Sequence, residues 1–334
     1  MGNAVVTTTI RAAKEKQELS FAQKGLFVAM VSGLLWGLAG VLLGIGLTKG
    51  PMTLGKTIFA APLVGVVLHD FFAAVSVFCY NCGTGRFKEI LRSLRTKMGL
   101  IVCVAALFGG PLAMSGYLLG IEFAGATYAM GISALYPVVG AIMAQIFLKE
   151  KITRQAWIGI MLCVVGAAVI SYIPPEAGTK PHFYLGIGLA LLAAFGWGIE
   201  GVIATFGMDM VDSNVAILIR QTTSCLTTFV LVLPFVSGIP LLFEAIRSPA
   251  VIGVIALAGM AGGFSYLYWY KAYSMCGVGR TMALNITYVL WGVVFTFLLS
   301  DAAITTALVA GAVLITIGAI LVVANPKDLI NLRG

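Results

Sequence analysis

The sequence predicts an all-α integral membrane protein whose ten transmembrane helices form two inverted five-helix repeats. Three observations carry that expectation. The 334 residues are 60% hydrophobic and 10% charged, with a mean hydropathy of +1.02. Water-soluble domains average about 45–50% apolar and about 25% charged, and a chain of this size cannot bury so much apolar side chain in an aqueous core. The apolar residues gather into runs of bilayer-crossing length, and the pattern of the first half returns in the second. This composition excludes a disordered tail, a secreted disulfide scaffold and a cytosolic enzyme. The pI near 9.2 would suit nucleic acid, but the basic residues sit in short segments between apolar runs, where they set membrane topology. No nucleic-acid partner is expected.

The runs cover about 25–48, 57–80, 98–119, 125–148, 155–173, 184–208, 214–237, 249–270, 280–300 and 303–325. Each is near the ~20 residues that a spanning helix needs. Alternating apolar-out, polar-in segments are missing, which argues against a β-barrel. The first run is too long for a signal-peptide core and no cleavage pattern follows it. Met1-Gly2 opens like a myristoylation site, but Val6 stands where Ser or Thr is required.

Lysine and arginine set the orientation. With the N-terminus inside, sixteen of the 21 basic residues fall in inner segments. Only Lys49, Lys56, Lys180 and Arg247 lie in outer loops, and Arg220 lies within a span. The positive-inside rule then puts both termini in the cytosol. The expected organisation is a cytosolic extension over 1–24, a first five-helix repeat over 25–173, a linker over 174–183, a second, inverted repeat over 184–325 and a cytosolic tail over 326–334.

The repeat is legible residue by residue. Trp36, Gly37, Gly40 and Gly46 recur as Trp197, Gly198, Gly201 and Gly207. Gly110, Gly125, Met130, Tyr136, Thr153, Gly159 and Gly166 recur as Gly262, Gly277, Met282, Tyr288, Thr305, Gly311 and Gly318. The change of offset between the two sets fits a longer second-to-third connection in the first half, the basic stretch 81–97. Five spans per copy is an odd number, so the second copy must enter the membrane in the opposite sense, a design used by secondary transporters.

Ionisable groups at bilayer depth cost several kcal/mol and mark function by default. His69 and Asp70 lie in the second run, Glu200 in the sixth, Arg220 in the seventh with Gln221 beside it. The plain alternative is a structural network in which Arg220 neutralises Asp70 or Glu200, since buried charges need partners. Glu200 stands one helical turn after Trp197, on the same face. Aromatic residues form helical stripes: Tyr266, Trp269, Tyr270 and Tyr273 on the eighth run, with Asn285, Tyr288 and Trp291 on the ninth. Each also serves as packing or as an interface anchor in many membrane proteins. Trp36, Trp197 and Tyr288 differ in lying toward mid-span. Tryptophans in both copies beside one carboxylate suit a cation that makes few hydrogen bonds, because aromatic faces attract it by ~0.5–2 kcal/mol each. An anionic substrate would want several arginines, and only Arg220 is available.

Catalytic and cofactor signatures are missing: there is no P-loop, G-x-S-x-G or H-E-x-x-H. Cys79 and Cys82 form a C-x-x-C without a second pair or a nearby histidine to complete a zinc site. No enzyme activity, metal or cofactor is expected.

The paired halves, each with a helix-loop-helix such as Ala134-Leu-Tyr-Pro-Val and Leu148-Lys-Glu-Lys-Ile-Thr153, resemble the EamA repeats of the drug/metabolite transporter superfamily. Leu68-His69-Asp70-Phe71, Trp197-Gly198-Ile199-Glu200, Leu218-Ile219-Arg220-Gln221 and the run Leu284–Trp291 are most similar to the bacterial LicB-type choline transporters. The resemblance implies a ten-helix carrier in the bacterial inner membrane that takes up choline or a related cation using the proton-motive force. Trp36, Trp197 and Tyr288 would then line an aromatic cage, and Glu200 would face the cation. His69, Asp70, Arg220, Gln221 and Asn285 would form the polar network beside it, with Glu200, Asp70 or His69 as carriers of a coupled proton. An exporter or exchanger of amino acids, drugs or other metabolites is the alternative on the same fold. A passive channel or a non-transporting scaffold stands outside that class.

Overall fold

A computed structural model describes residues 2–54, 59–124, 129, 132–171, 182–299 and 306–324. The expected linker residues 174–181, the tail 326–334, and Lys56, Lys180, Gly125, Met130 and Thr305 lie outside the described residues. The architecture is helical. The first half holds α1 (Gly2–Leu47), α2 (Ala60–Gly83), a short α3 (Phe87–Ser93), α4 (Lys97–Leu107), α5 (Ala113–Ala124), α6 (Tyr136–Phe147) and α7 (Arg154–Ser171). The second holds α8 (Phe183–Gly207), α9 (Ser213–Thr227), α10 (Ile239–Arg247), α11 (Pro249–Cys276), α12 (Val278–Asn285), α13 (Tyr288–Leu299) and α14 (Thr306–Val323).

Among the described residues, seven stretches are long and apolar enough to cross a bilayer, including Ala13–Leu47, Lys97–Gly120 across α4 and α5, and Val278–Leu299 across α12 and α13. Three shorter apolar helices among the described residues, Tyr136–Phe147, Arg154–Ile170 and Val309–Val323, overlap the remaining three runs of the sequence. Exposure is inverted relative to a soluble protein. Phe71, Val75 and Phe78 point outward on α2, Leu100, Val104 and Leu107 on α4, and Ile158, Met161 and Val165 on α7. Their spacing of three or four residues makes apolar outer stripes, while His69, Asp70, Glu200, Arg220 and Gln221 are each at most 1% exposed. Charge inside and hydrocarbon outside is the signature of a multi-pass membrane protein.

Four local departures from the sequence reading stand out. Helix α1 begins at Gly2 rather than near residue 25. Nothing stops it upstream, because residues 3–24 contain neither proline nor glycine and Lys14 meets Glu18 one turn on. Pro111 has no N–H to give, so α4 passes to α5 through a π turn, Phe108–Leu112. A second π turn, Thr228–Val232, follows α9 and is closed by the Leu233 N–H on the Thr228 carbonyl at 2.8 Å. The segment 238–248, read as a connection, contains α10, which buries Leu241, Leu242 and Ala245.

The halves exchange partners. Helix α1 packs on α11 and the α12–α13 pair, as its counterpart α8 packs on α4–α5 and α6. Helix α2 lies on α11 as α9 lies on α4. Helices α7 and α14 pair with each other through the repeated glycines. A methyl group on Gly159 would run into the Gly318 carbonyl at 2.6 Å, and one on Gly166 into the Gly311 carbonyl at 2.7 Å. Those contacts run antiparallel and swap repeat mates, and the missing side chains are what let the backbones approach.

Candidate functional site

Where the two halves meet, a narrow cavity of about 20 Å³ is lined mainly by aromatic rings. Trp36 comes from α1, Tyr136 from the start of α6, Trp197 from α8, and Tyr266 and Trp269 from α11. Tyr288 at the start of α13, Asn285 at the end of α12 and Ser265 complete the wall. The rings meet edge to face in a continuous arc. Trp36 lies 5.1 Å from Tyr266, Tyr266 5.6 Å from Trp269, Trp269 6.4 Å from Tyr136, and Tyr136 6.0 Å from Trp197.

Local sequence explains how the rings get there. Gly37 after Trp36 lets α1 touch the α12–α13 break, since a methyl group at that position would meet the Tyr288 carbonyl at 2.8 Å. Gly198 after Trp197 does the same against Val139 and Gly140 of α6. Both Tyr136 and Tyr288 begin helices directly after a two-residue turn, Ala134–Leu135 and Ile286–Thr287. Such interruptions at mid-membrane are tolerated where freed backbone lines a cavity. The two breaks are fastened together: Tyr136 donates to Asn285 Oδ1 at 2.9 Å, and Asn285 Nδ2 donates to Ser32 Oγ at 2.8 Å. Ser265 donates to the Ser32 carbonyl at 2.8 Å.

Behind Tyr266 lies the charged layer. The Arg220 guanidinium stacks 4.4 Å from the Tyr266 ring centre. Its Nε donates to Glu200 Oε1 at 2.6 Å and its Nη2 to Oε2 at 3.4 Å. Nη1 donates to Gln221 Oε1 at 2.7 Å, and Tyr270 donates to Glu200 Oε1 at 2.9 Å. Glycines in the π turn make room: a side chain on Gly109 would overlap the Glu200 carboxylate, and one on Gly110 would overlap Ser224. The Gly109 carbonyl in turn accepts from Trp197 Nε1 at 3.2 Å. Of the two partners that the sequence offered Arg220, the structure uses Glu200.

A second polar group adjoins the arc. His69 Nδ1 lies 3.0 Å from Asp70 Oδ1, and Ser224 donates to Asp70 Oδ2. The His69 ring meets Trp36 edge to face at 5.8 Å, and its Nε2 has no partner among the described residues.

Of the residues singled out from sequence, Trp36, Trp197, Tyr266, Trp269, Asn285 and Tyr288 line the cavity. Glu200 and Tyr270 sit behind the wall with Arg220 and Gln221. Trp291 packs by its Cβ against Gly37 and does not reach the cavity. His69 and Asp70 flank it through Trp36. Sequence reasoning did not place Tyr136 in the site, although its repeat relation to Tyr288 was the signal that would have done so. Ser265, Ser224 and Gly109 had no such signal, because each matters only through a neighbour from another helix.

The same overall arrangement is found elsewhere. A crystal structure sharing 16% identity superposes with a TM-score of 0.70 over 90% of this chain and 97% of the other. The chain is 27% identical to the protein LicB of Haemophilus influenzae over 83% of its own length and 89% of that protein. It is 24% identical to the riboflavin transporter ImpX of Fusobacterium nucleatum over 89% of its length and 96% of the relative. Residues 23–172 and 184–324 each match the profile of the EamA-like transporter family. An all-helical membrane chain with two copies of that repeat around one central cavity therefore belongs to the EamA-like transporter family.

Proposed function

We propose that this chain is a secondary transporter that imports choline or a related organic cation by alternating access. Six aromatic rings from both halves around one cavity, with no basic side chain among the described lining residues, are the observation that carries the reading. Aromatic faces hold a poorly hydrogen-bonding cation through their quadrupoles. Arg220 would repel that cation, but Glu200 neutralises it, so the carboxylate acts from behind Tyr266 rather than by facing the substrate. The Asp70 carboxylate lies behind His69, whose ring meets Trp36. An inside-negative potential favours cation entry by ~2.3 kcal/mol per 100 mV, roughly a fiftyfold accumulation. A proton held at His69–Asp70 is the coupled ion.

The carrier sits in a bacterial inner membrane as ten spans with both termini in the cytosol. Its inverted repeats occupy 25–173 and 184–325, and they rock about the cavity. The antiparallel exchange of Gly159 and Gly166 contacts with Gly318 and Gly311 supports the inverted relation. The resemblance of the intramembrane strings around His69, Glu200 and Asn285 to those of LicB-type choline transporters supports the choice of a choline-like substrate.

A second reading has its own observation. A cavity whose described lining residues carry no formal charge also suits a flat neutral ring stacked between tryptophans, and one relative is a riboflavin transporter. Uptake of labelled choline into proteoliposomes under an imposed potential decides between them. Saturable, potential-driven choline uptake that falls in Trp36→Ala supports the cation. Potential-independent uptake of riboflavin, with none of choline, replaces it.

A further inference from the structure

Two buried polar groups press on the same element, the π turn Phe108–Leu112 between α4 and α5. Glu200, paired with Arg220, fills the space over Gly109. Ser224 fills the space over Gly110, its Cα 3.2 Å from where a methyl group would stand. Ser224 is fully buried and stands one turn after Arg220 on α9, on the same face. Its hydroxyl donates to Asp70 Oδ2, while Asp70 Oδ1 meets His69 Nδ1 at 3.0 Å. The Gly109 carbonyl in turn accepts from Trp197 Nε1 at 3.2 Å, and Trp197 lines the central cavity. One glycine of the turn therefore touches the Asp70 group and its neighbour touches the cavity wall. The turn is also the irregular part of this span, because Pro111 gives no N–H and the Ala113 N–H reaches back to the Phe108 carbonyl.

We infer that Ser224 is a positioning residue that carries the protonation state of Asp70 to Trp197 through this π turn. The inference rests on the reading of His69–Asp70 as the proton site. With Asp70 ionised, the serine hydroxyl donates to it and the serine oxygen stays over Gly110. A proton arriving on Oδ2 makes the carboxyl the donor and the serine oxygen the acceptor, so the serine's own hydrogen must find another oxygen. The Arg220 carbonyl, four residues back on α9, is the partner within reach of a helical serine. Turning about the Cα–Cβ bond to meet it changes the contact on Gly110, and the π turn moves the Gly109 carbonyl that holds Trp197. The ionisable groups around Asp70 are His69 on α2, Arg220 and Cys225 on α9 and Tyr266 on α11, with Glu200 on α8 holding the arginine. Tyr117 on α5 is turned to Trp197, and Glu244 and Arg247 on α10 are exposed. Neither residues 25–47 of α1 nor the π turn contain an ionisable residue.

Equilibrium dialysis of labelled choline against the purified full-length protein in detergent, between about pH 5 and about pH 8, tests this. Wild-type affinity should change about two- to tenfold across that range, the worth of one hydrogen bond. Asp70→Asn and Ser224→Ala should each bind choline with an affinity that no longer depends on pH. If Ser224→Ala does not give folded protein, Ser224→Cys, a weaker donor of similar shape, should show a reduced swing, and a swing of native size there counts against the relay. A swing of native size in Ser224→Ala, wherever its midpoint falls, is what loss of a plain structural hydrogen bond gives; it overturns the relay and leaves the proton site standing. A swing that survives Asp70→Asn overturns the relay as well, because the proton is then held elsewhere. Binding by the wild type that is independent of pH, yet lost in Trp36→Ala, overturns the relay and the proton reading together and leaves the cation cage.

Discussion

Replacing Glu200 by glutamine tests whether that carboxylate acts on the substrate through Arg220. The guanidinium lies 4.4 Å from the centre of the Tyr266 ring, and Tyr266 lines the cavity. A cation resting about 4–5 Å from the same ring on the cavity side, within cation–π range, is about 9 Å from the arginine. At an effective dielectric of about 20 the repulsion is about 1.8 kcal/mol. Glu200 cancels it in the native protein. Glu200→Gln should therefore weaken choline binding about twentyfold. Leaving Arg220 buried and unpaired also destabilises the fold by about 3–5 kcal/mol, so binding is read beside a thermal-unfolding curve. The double variant Glu200→Gln/Arg220→Gln removes both charges and should restore affinity to within about threefold, because paired removal of buried charges is often close to neutral. Equal loss in the single and double variants would refute the argument, since Glu200 would then be needed for itself. Native affinity in the single variant would refute it as well.

Other outcomes follow from the same geometry. Trp197→Ala should weaken choline binding about two- to thirtyfold in an equilibrium binding assay, the worth of one cation–π partner. Gly109→Ala should lower thermal stability and abolish uptake by pushing on the Glu200 carboxylate, whereas Gly188→Ala, where an added methyl meets nothing within 4 Å, should leave both unchanged. Tyr136→Phe loses the bond to Asn285 that ties the two helix breaks together, and should cost about 0.5–1.5 kcal/mol in thermal stability. Asp70→Asn should abolish the response of choline uptake to an imposed pH gradient, measured in proteoliposomes with the membrane potential clamped.

The helical membrane class, the positions of the apolar runs and the twofold repeat are all legible in the amino-acid sequence. These follow from one-dimensional quantities: run length against bilayer thickness, and residues recurring at fixed offsets. The sequence also marked His69, Asp70, Glu200 and Arg220, because buried charge in an apolar run is conspicuous wherever it folds. Which of these meet is set by the packing of helices distant in sequence. That Arg220 pairs with Glu200, that Asp70 takes Ser224, and that Glu200 stands behind Tyr266 instead of in the cavity all depend on contacts between different helices. The same holds for the π turn that brings Gly109 to Glu200, and for the two helix breaks joined through Tyr136 and Asn285. Trp291 shares a stripe with Tyr288 yet is turned away by the packing of α13 on Gly37 of α1. Periodicity fixes the face on which a side chain lies, but the neighbour that faces it is chosen by how closely two backbones approach, and here glycines at Gly37, Gly109 and Gly201 set that distance.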